Sequence, residues 1–91
     1  MAAKIQIEII NKLGLHARAA SKLVATASRH ESRIEVTNPS GQKADAKSIM
    51  SVLMLAASKG VVLDIEASGP DEDDALAAVC ELINNRFDEP E

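Results

Sequence analysis

Residues 4–24, KIQIEIINKLGLHARAASKLV, contain a change of hydrophobic period that decides the fold. In the first part, isoleucines alternate with polar residues, which predicts a half-buried β-strand over residues 4–10. After the break at residues 11–14, apolar residues recur at three- and four-residue steps, which predicts a helix over residues 17–28. His16 then lies at or near the N-cap of that helix. The predicted buried stripe of the helix comprises Ala20, Leu23, Val24 and Ala27.

The rest of the chain continues to alternate between the two periods. Asn38–Gly41, with the sequence NPSG, is a strong turn signal, so the segments on either side are expected to pair as a hairpin. The predicted elements after the first helix are strands over 32–37 and 42–46, a helix over 48–59, a strand over 61–67 and a third helix opened by 69–70.

The ends of the later elements carry recognisable signals. Ser48 is a suitable N-cap for the second helix, and Gly60 is a suitable residue to close it. Pro70 suits the first position of the third helix, where four acids at residues 71–74 meet the positive end of the helix dipole. The acidic tail, residues 88–91, is expected to fray, as chain ends often do.

The element order β-α-β-β-α-β-α predicts an α+β fold. Each of the four strands has one apolar face, and three amphipathic helices are available to cover it. The economical arrangement is a four-stranded, mainly antiparallel sheet covered on one face by three helices, with its other face wet. Without a linker or an internal repeat, residues 1–91 are predicted to form a single domain.

Composition excludes several classes of function. A formal net charge of −4 and a single aromatic residue argue against binding to nucleic acid. One cysteine, Cys80, fits a reducing compartment. The N-terminal residues lack the layout of a signal peptide, and no apolar run is long enough to span a bilayer. We therefore expect a cytoplasmic protein without membrane insertion.

His16 is the strongest candidate for chemistry. The first turn of a helix offers unpaired N–H groups and a positive dipole end, which favour an anion and disfavour a protonated imidazole. A neutral ring has a nucleophilic nitrogen, Arg18 can offer a guanidinium to phosphoryl oxygens, and Gly14 allows a sharp turn beside the ring. The plain alternative is that His16 is only a cap and Arg18 only a solvated charge.

The other reactive side chains carry weaker signals. His30 is interpreted as an exposed connector and Cys80 as a packing residue. The histidines and the cysteine lie far apart without ligand spacing, so no metal site is predicted. Nothing in the sequence calls for a cofactor.

The second helix has more apolar residues than one buried stripe needs. Val52, Leu55 and Ala56 suit the core, and the remainder predict a second, exposed apolar face for partner proteins. A wide core contact is the alternative. The predicted partner-binding residues are Ile49, Met50 and Leu53, with Lys22 and Lys47 joining Arg18 in a basic rim, while the acids are expected on the far side of the protein.

Two motifs resemble those of a known family. Residues 14–20, GLHARAA, resemble the active-site signature of the HPr family, the histidine phosphocarriers of the phosphoenolpyruvate-dependent phosphotransferase system. Residues 46–50, AKSIM, resemble its second signature, and the element order is similar to the family's open-faced β-sandwich. Residues 53–55, 58–60 and 67–70, with the ending at 87–89, look closer to the nitrogen-related NPr branch than to the sugar-transport branch.

This resemblance implies a function. Phosphorylated enzyme I would transfer a phosphoryl group to Nδ1 of His16, Arg18 would steady it, and an enzyme IIA protein would receive it. The chain would be a monomeric carrier, not an enzyme. Ser48 matches a position that a separate serine kinase/phosphorylase modifies in many relatives, although it can equally be an ordinary N-cap. Ala19 replaces a proline of many relatives, which should loosen the helix start slightly.

Two alternatives stay open at this stage. The chain could act mainly as a regulatory module of a nitrogen-type phosphotransferase system, binding proteins according to its phosphorylation state. It could also be a structural α/β domain without transfer chemistry, although that leaves the combination of His16, Arg18 and a second apolar helix face unexplained.

Overall fold

A four-stranded antiparallel sheet forms one layer of the protein. The computed structural model describes residues 2–91. The strands are β1 (Ala3–Glu8), β2 (Arg33–Thr37), β3 (Lys43–Asp45) and β4 (Val62–Ser68), in the spatial order β1-β4-β2-β3. The helices are α1 (Ala17–Ser28), α2 (Ile49–Met54) and α3 (Glu72–Asn84), followed by a 3₁₀ turn at Arg86–Asp88. The predicted α+β fold class is confirmed.

The core lies between the sheet and the helices. β4 is central and aligns Leu63 with Ile7 of β1, and Ile65 with Val36 of β2. Because side chains directly opposite each other share a face, this register places all four on the helix-covered side, where they are buried. Burial of apolar side chains such as these is the main stabilising contribution to a domain of this size.

The other face of the sheet is wet, as predicted. It carries charged side chains, and two ion pairs cross between its strands: Lys4 with Glu66 at 3.3 Å and Lys43 with Glu35 at 3.8 Å. All four groups retain contact with solvent, so the pairs contribute little to stability.

The bounds of α1 agree with the prediction, but those of α3 do not. Pro70 is not its first residue: α3 begins at Glu72, with Asp71 as N-cap. The Asp71 carboxylate is held across the molecule by the amides of Glu31 and Ser32, at 3.1 and 2.9 Å. Because this contact fixes Asp71 in a non-helical conformation, the helix starts two residues later than predicted and Pro70 precedes the cap.

The prediction that α2 extends to Lys59 is wrong. The helix ends at Met54, and Ala56 adopts a left-handed conformation with φ of 50°. The carbonyl of Ala57 accepts a hydrogen bond from the Leu15 amide at 2.8 Å, and the Gly60 amide donates to the carbonyl of Ile9 at 2.7 Å. These long-range bonds draw residues 56–60 out of the helix and against the loop that precedes α1. Gly60 therefore belongs to the turn before β4 and does not close the helix.

The acidic tail is not frayed. Phe87, the one aromatic residue, is fully buried in the core. Arg86, Phe87 and Asp88 have φ angles of 55°, 53° and 63°, which turn the chain back over α1. The carbonyl of Glu91 accepts a hydrogen bond from the Lys12 amide at 3.0 Å. The last residues thus lie on the loop before α1, and the acids of the tail are not on the far side of the protein.

Within residues 2–91, no helix combines the length and the apolar character that crossing a bilayer requires.

Candidate functional site

His16 is the N-cap of α1, as predicted. Its backbone is extended, with φ of −80° and ψ of −179°, while its carbonyl accepts the first helical hydrogen bond from Ala20 at 2.8 Å. The ring nitrogen Nδ1 accepts a hydrogen bond from the backbone amide of Arg18 at 3.3 Å. Nδ1 therefore faces the unpaired amides and the positive dipole end of the first turn.

The other ring nitrogen of His16 contacts the tail. Nε2 forms a short hydrogen bond with Oε2 of Glu89, 73 positions away in sequence. An ionised carboxylate can only accept hydrogen bonds, so the ring proton lies on Nε2. The Arg18 amide can only donate a hydrogen bond, so Nδ1, which accepts it, is unprotonated. Both contacts favour the same tautomer, with the proton on Nε2 and the lone pair on Nδ1.

Asn11 fixes the carboxylate that contacts the histidine. Its side-chain amide donates to Oε1 of Glu89 at 2.9 Å and to the carbonyl of Gly14 at 2.7 Å. Asn11 is fully buried, and its Oδ1 has no hydrogen-bond partner within residues 2–91. Burial alone would raise the pKa of Glu89, but the hydrogen bonds from Asn11 and His16 and the nearby Arg18 cation hold it below its usual value of 4.5.

Gly14 holds the loop before His16 close to the segment after α2. Its φ is 69°, and a Cβ atom at this position would lie 2.7 Å from the carbonyl oxygen of Ala57 and 2.8 Å from Cα of Ser58. Only glycine fits both the conformation and the space. The turn at Gly14 was predicted from the sequence, and the close approach to residues 57–58 is a second constraint that was not predicted.

Arg18 stands at the rim of the site. It is exposed, and its guanidinium forms no ion pair with any carboxylate in residues 2–91. A shallow pocket of about 270 Å³ lies beside it. The pocket is lined by Lys12, Leu13, Arg18, Glu89, Pro90 and Glu91. The Arg18 side chain therefore lies on the same side of the protein as Glu89, which contacts the histidine, and its guanidinium is available to an incoming anion.

The apolar surface of α2 differs in part from the prediction. Ile49 and Met50 are exposed, the latter by 67%, as expected. Leu53 is instead half-buried and packs against the core. Met54, which the prediction omitted, is 69% exposed. Ala56, predicted to be buried, is exposed because its left-handed backbone leaves the helix.

Two lysines of the predicted basic rim are engaged within the fold. Nζ of Lys22 donates to the carbonyl of Phe87 at 2.9 Å and lies 3.6 Å from the Asp88 carboxylate, so it anchors the tail. Nζ of Lys47 donates to the carbonyl of His30 at 2.7 Å. Both ammonium groups keep their charge in these contacts, whereas the exposed Arg18 guanidinium forms no ion pair within the described part of the chain.

Ser48 is the N-cap of α2, as predicted. Its hydroxyl oxygen accepts from the amide of Ser51 at 3.5 Å and contacts the Ser51 hydroxyl at 3.1 Å. It remains partly exposed.

Two other predicted roles can be compared with the structure. His30 is half-buried rather than exposed, because a ring nitrogen lies 3.1 Å from the carbonyl of Thr26. Cys80 is half-buried against the core, and burial raises the pKa of its thiol. Both observations favour structural roles.

The comparisons with known proteins agree with the motif around His16. Residues 3–85 match the family described as PTS HPr component phosphorylation site. The chain belongs to the HPr family. A phosphocarrier protein HPr of Pseudomonas aeruginosa is 54% identical over 87 residues, a match that covers 96% of this chain and 97% of the relative. A phosphocarrier protein NPr of Escherichia coli is 44% identical over 89 residues, a match that covers 98% of this chain and 99% of the relative.

A solved structure of an HPr protein has the same fold. The HPr of Thermoanaerobacter tengcongensis superposes with a TM-score of 0.92 at 43% identity, with 98% of this chain and 99% of that chain covered. The expected family is therefore confirmed, and the similar proteins include both HPr and NPr. The relatives from P. aeruginosa and E. coli are both named phosphocarrier proteins, in agreement with the expectation of a carrier rather than an enzyme.

Sequence reasoning missed Glu89, which contacts His16, and Asn11, which contacts Glu89. Glu89 was assigned to a frayed tail, and Asn11 only to the end of a strand. The available signal was Phe87: a lone aromatic residue in an aliphatic protein is expected to be buried, and its burial brings the neighbouring carboxylates onto the protein surface near α1.

Proposed function

We propose that the protein carries a phosphoryl group on Nδ1 of His16, received from phosphorylated enzyme I and passed to an enzyme IIA protein. The observation that carries this proposal is the 3.3 Å contact of Nδ1 with the Arg18 amide at the start of α1. A nucleophilic nitrogen and an anion-binding helix end occupy the same point, which is what a transferred phosphoryl group requires.

The transfer is a displacement at phosphorus. The lone pair of Nδ1 attacks the phosphorus atom of the donor phosphohistidine, the new N–P bond forms, and the donor N–P bond breaks with its electron pair returning to the donor ring. The Arg18 amide, which now donates to Nδ1, is then free to donate to a phosphoryl oxygen. The exposed Arg18 guanidinium supplies a second, charged donor to the dianion.

The exposed part of α2 is proposed as the partner-binding surface. Ile49, Met50 and Met54 present apolar side chains on the helix whose N-cap is Ser48. A carrier has to release each partner, so the interface should be small and transient. Flexible methionines suit a surface that meets enzyme I and enzyme IIA in turn. Leu53 contributes by packing α2 against the hydrophobic core.

Ser48 is proposed as a second phosphorylation site, used by a separate serine kinase/phosphorylase. Its hydroxyl is partly exposed and adjoins the apolar surface of α2. A phosphate there would be favoured by the start of α2 but would place a dianion beside the surface that partners must desolvate. A cytoplasmic location and a monomeric carrier are consistent with this role and are part of the proposal.

Phosphotransfer to the purified protein tests the proposal. With enzyme I and phosphoenolpyruvate, phosphorus NMR should show one acid-labile, base-stable phosphate on a histidine nitrogen. His16→Ala should abolish this signal, while His30→Ala, which removes the other histidine, should retain it. A signal that persists in His16→Ala would overturn the assignment.

A further inference from the structure

We propose that Glu89 is a positioning residue that keeps a proton on Nε2 of His16 throughout phosphoryl transfer, held in place for this task by Asn11. The inference rests on the proposed phosphocarrier function and assigns a role in it to the C-terminal tail.

The contacts of the imidazole define this role. Glu89 meets Nε2, and the Arg18 amide meets Nδ1 at 3.3 Å, so the ring is held at both nitrogens. A donor on one side and an acceptor on the other permit only one neutral tautomer. With Glu89 absent, the Nε2–H tautomer would lose its main partner, and the ring could rotate away from the first turn.

The carboxylate is itself constrained by a buried group. The side chain of Glu89 is only 9% exposed, and the buried Asn11 amide bonds Oε1 while Oε2 faces the histidine. Asn11 also bonds the Gly14 carbonyl, which ties the loop before His16 to the tail. Asn11, Glu89 and His16 therefore form a continuous chain of hydrogen bonds, in which each group orients the next.

The tail brings Glu89 to this position by several independent anchors. Phe87 is buried in the core, Lys22 bonds its carbonyl, and the Lys12 amide bonds the carbonyl of Glu91. Glu89 lies between these anchors. The contact with His16 is thus part of the folded structure and not the chance position of a loose chain end.

The proton balance explains how such a contact would help. When Nδ1 attacks phosphorus, no proton has to leave: the ring keeps its Nε2 proton and becomes a cation carrying the phosphoryl dianion. The carboxylate of Glu89 compensates that positive charge. In the return step, a ring that is still protonated on Nε2 departs as neutral imidazole, which is a better leaving group than an imidazolate. Glu89 would therefore support both acceptance and donation.

The other charges near the ring do not duplicate this effect. Arg18 is a cation and favours the phosphoryl dianion. Lys12 and Glu91 pair with each other at 3.5 Å on the exposed end of the tail. Glu91 therefore provides a matched control, because Glu91→Gln removes one negative charge from the same segment without touching the histidine.

Nitrogen NMR of the histidine ring provides the test. In the wild-type protein and in Glu91→Gln, the shifts of His16 should report a proton on Nε2 and a bare Nδ1. In Glu89→Gln they should report a mixture of tautomers. The rate of phosphoryl acceptance from enzyme I should fall by about tenfold in Glu89→Gln and stay unchanged in Glu91→Gln. In metal sites, loss of the group that orients a ligating histidine costs about 10- to 100-fold. Hydrogen exchange of the Lys12 amide shows whether the tail stays in place.

Each outcome has a distinct meaning. A wild-type ring with its proton on Nδ1 overturns the inference without reference to any variant. Normal tautomer and normal transfer in Glu89→Gln, with the Lys12 amide still protected, also overturn it. Failure of the wild type to become phosphorylated on His16 overturns the proposed function itself, and is recognised because it occurs before any substitution is made.

Discussion

The Ser32 hydroxyl, 39 positions from Asp71, hydrogen-bonds both the carboxylate and the backbone amide of that residue. The Ser32 hydroxyl donates to the Asp71 carboxylate, and the Asp71 amide donates to the Ser32 hydroxyl at 3.2 Å. The Ser32 hydroxyl is the largest influence on the pKa of Asp71. Together with the amides of Ser32 and Glu31 and the charge of His30, it lowers that pKa below 3.8 against the opposing effect of burial. The contact links the start of α3 to the loop before β2.

This contact predicts a pH-dependent difference between wild type and Asp71→Asn. A carboxylate with a depressed folded-state pKa stabilises the protein above its unfolded pKa of 3.8, and this contribution is lost as the pH falls through the lower folded value. The free energy of unfolding should therefore differ most near neutral pH and converge in acid. Urea titrations from about pH 7 down to about pH 2 check this. Asp73→Asn, at the same helix start, is the control; a constant difference for Asp71→Asn would contradict the prediction.

Gly14→Ala should destabilise the protein and impair phosphoryl acceptance together. The new Cβ would lie 2.7 Å from the Ala57 carbonyl oxygen, at a residue with φ of 69°. A cost of roughly 2–4 kcal/mol follows from the left-handed backbone and the overlap combined. Gly41→Ala, with φ of 87° and open space, isolates the backbone contribution of about 1 kcal/mol. Equal losses in the two variants would show that the close approach to residue 57 has no energetic effect.

Phe87→Leu should loosen the tail and slow transfer. The leucine leaves part of the buried aromatic volume empty, which should lower the free energy of unfolding by about 1–2 kcal/mol. Exchange of the Lys12 amide should accelerate as the tail opens. Asp88→Asn is the control, since it retains a residue suited to positive φ and removes only an exposed ion pair with Lys22. Unchanged amide exchange in Phe87→Leu would argue against Phe87 as the anchor.

The extent to which the sequence predicts this structure depends on how local each determinant is. The bounds of α1 were predicted correctly, because its cap and its buried stripe lie within residues 16–28. The length of α2 was not, because residues 56–60 have helix-compatible side chains but bond to Ile9 and Leu15, far away in sequence. The periodicity of apolar residues is local in sequence and does not predict such long-range contacts.

The candidate site divides in the same way. His16, Arg18 and Gly14 lie together in one motif, so their association could be predicted. Asn11 and Glu89 are 78 positions apart, and their contact depends on the tail turning back at three residues with positive φ. Arg, Phe and Asp at these positions do not carry the glycine signal that would predict such a turn. The acidic composition of the tail predicted instead that these residues are exposed to solvent and do not pack on the protein.

The exposed methionines of α2 should matter for partner binding but not for folding. Met54→Ser alters a side chain that is 69% exposed, so the free energy of unfolding should change by no more than about 0.5 kcal/mol. The rate of phosphoryl acceptance from enzyme I at low protein concentration should fall, because less apolar surface is buried in the complex. Val62→Thr, at an exposed apolar residue of β4, is the control. A normal rate for Met54→Ser would remove Met54 from the proposed surface.

Two substitutions at Ser48 separate its capping role from the effect of a charge. Asp and Asn are both good N-caps, so Ser48→Asp and Ser48→Asn should leave the free energy of unfolding within about 1 kcal/mol of wild type. Only Ser48→Asp introduces a negative charge beside Ile49 and Met50, and partner binding must then desolvate it. Phosphoryl acceptance from enzyme I should therefore slow in Ser48→Asp and remain near the wild-type rate in Ser48→Asn. If both variants slow transfer equally, the hydroxyl itself is required; if neither does, a charge at this helix start does not control partner binding.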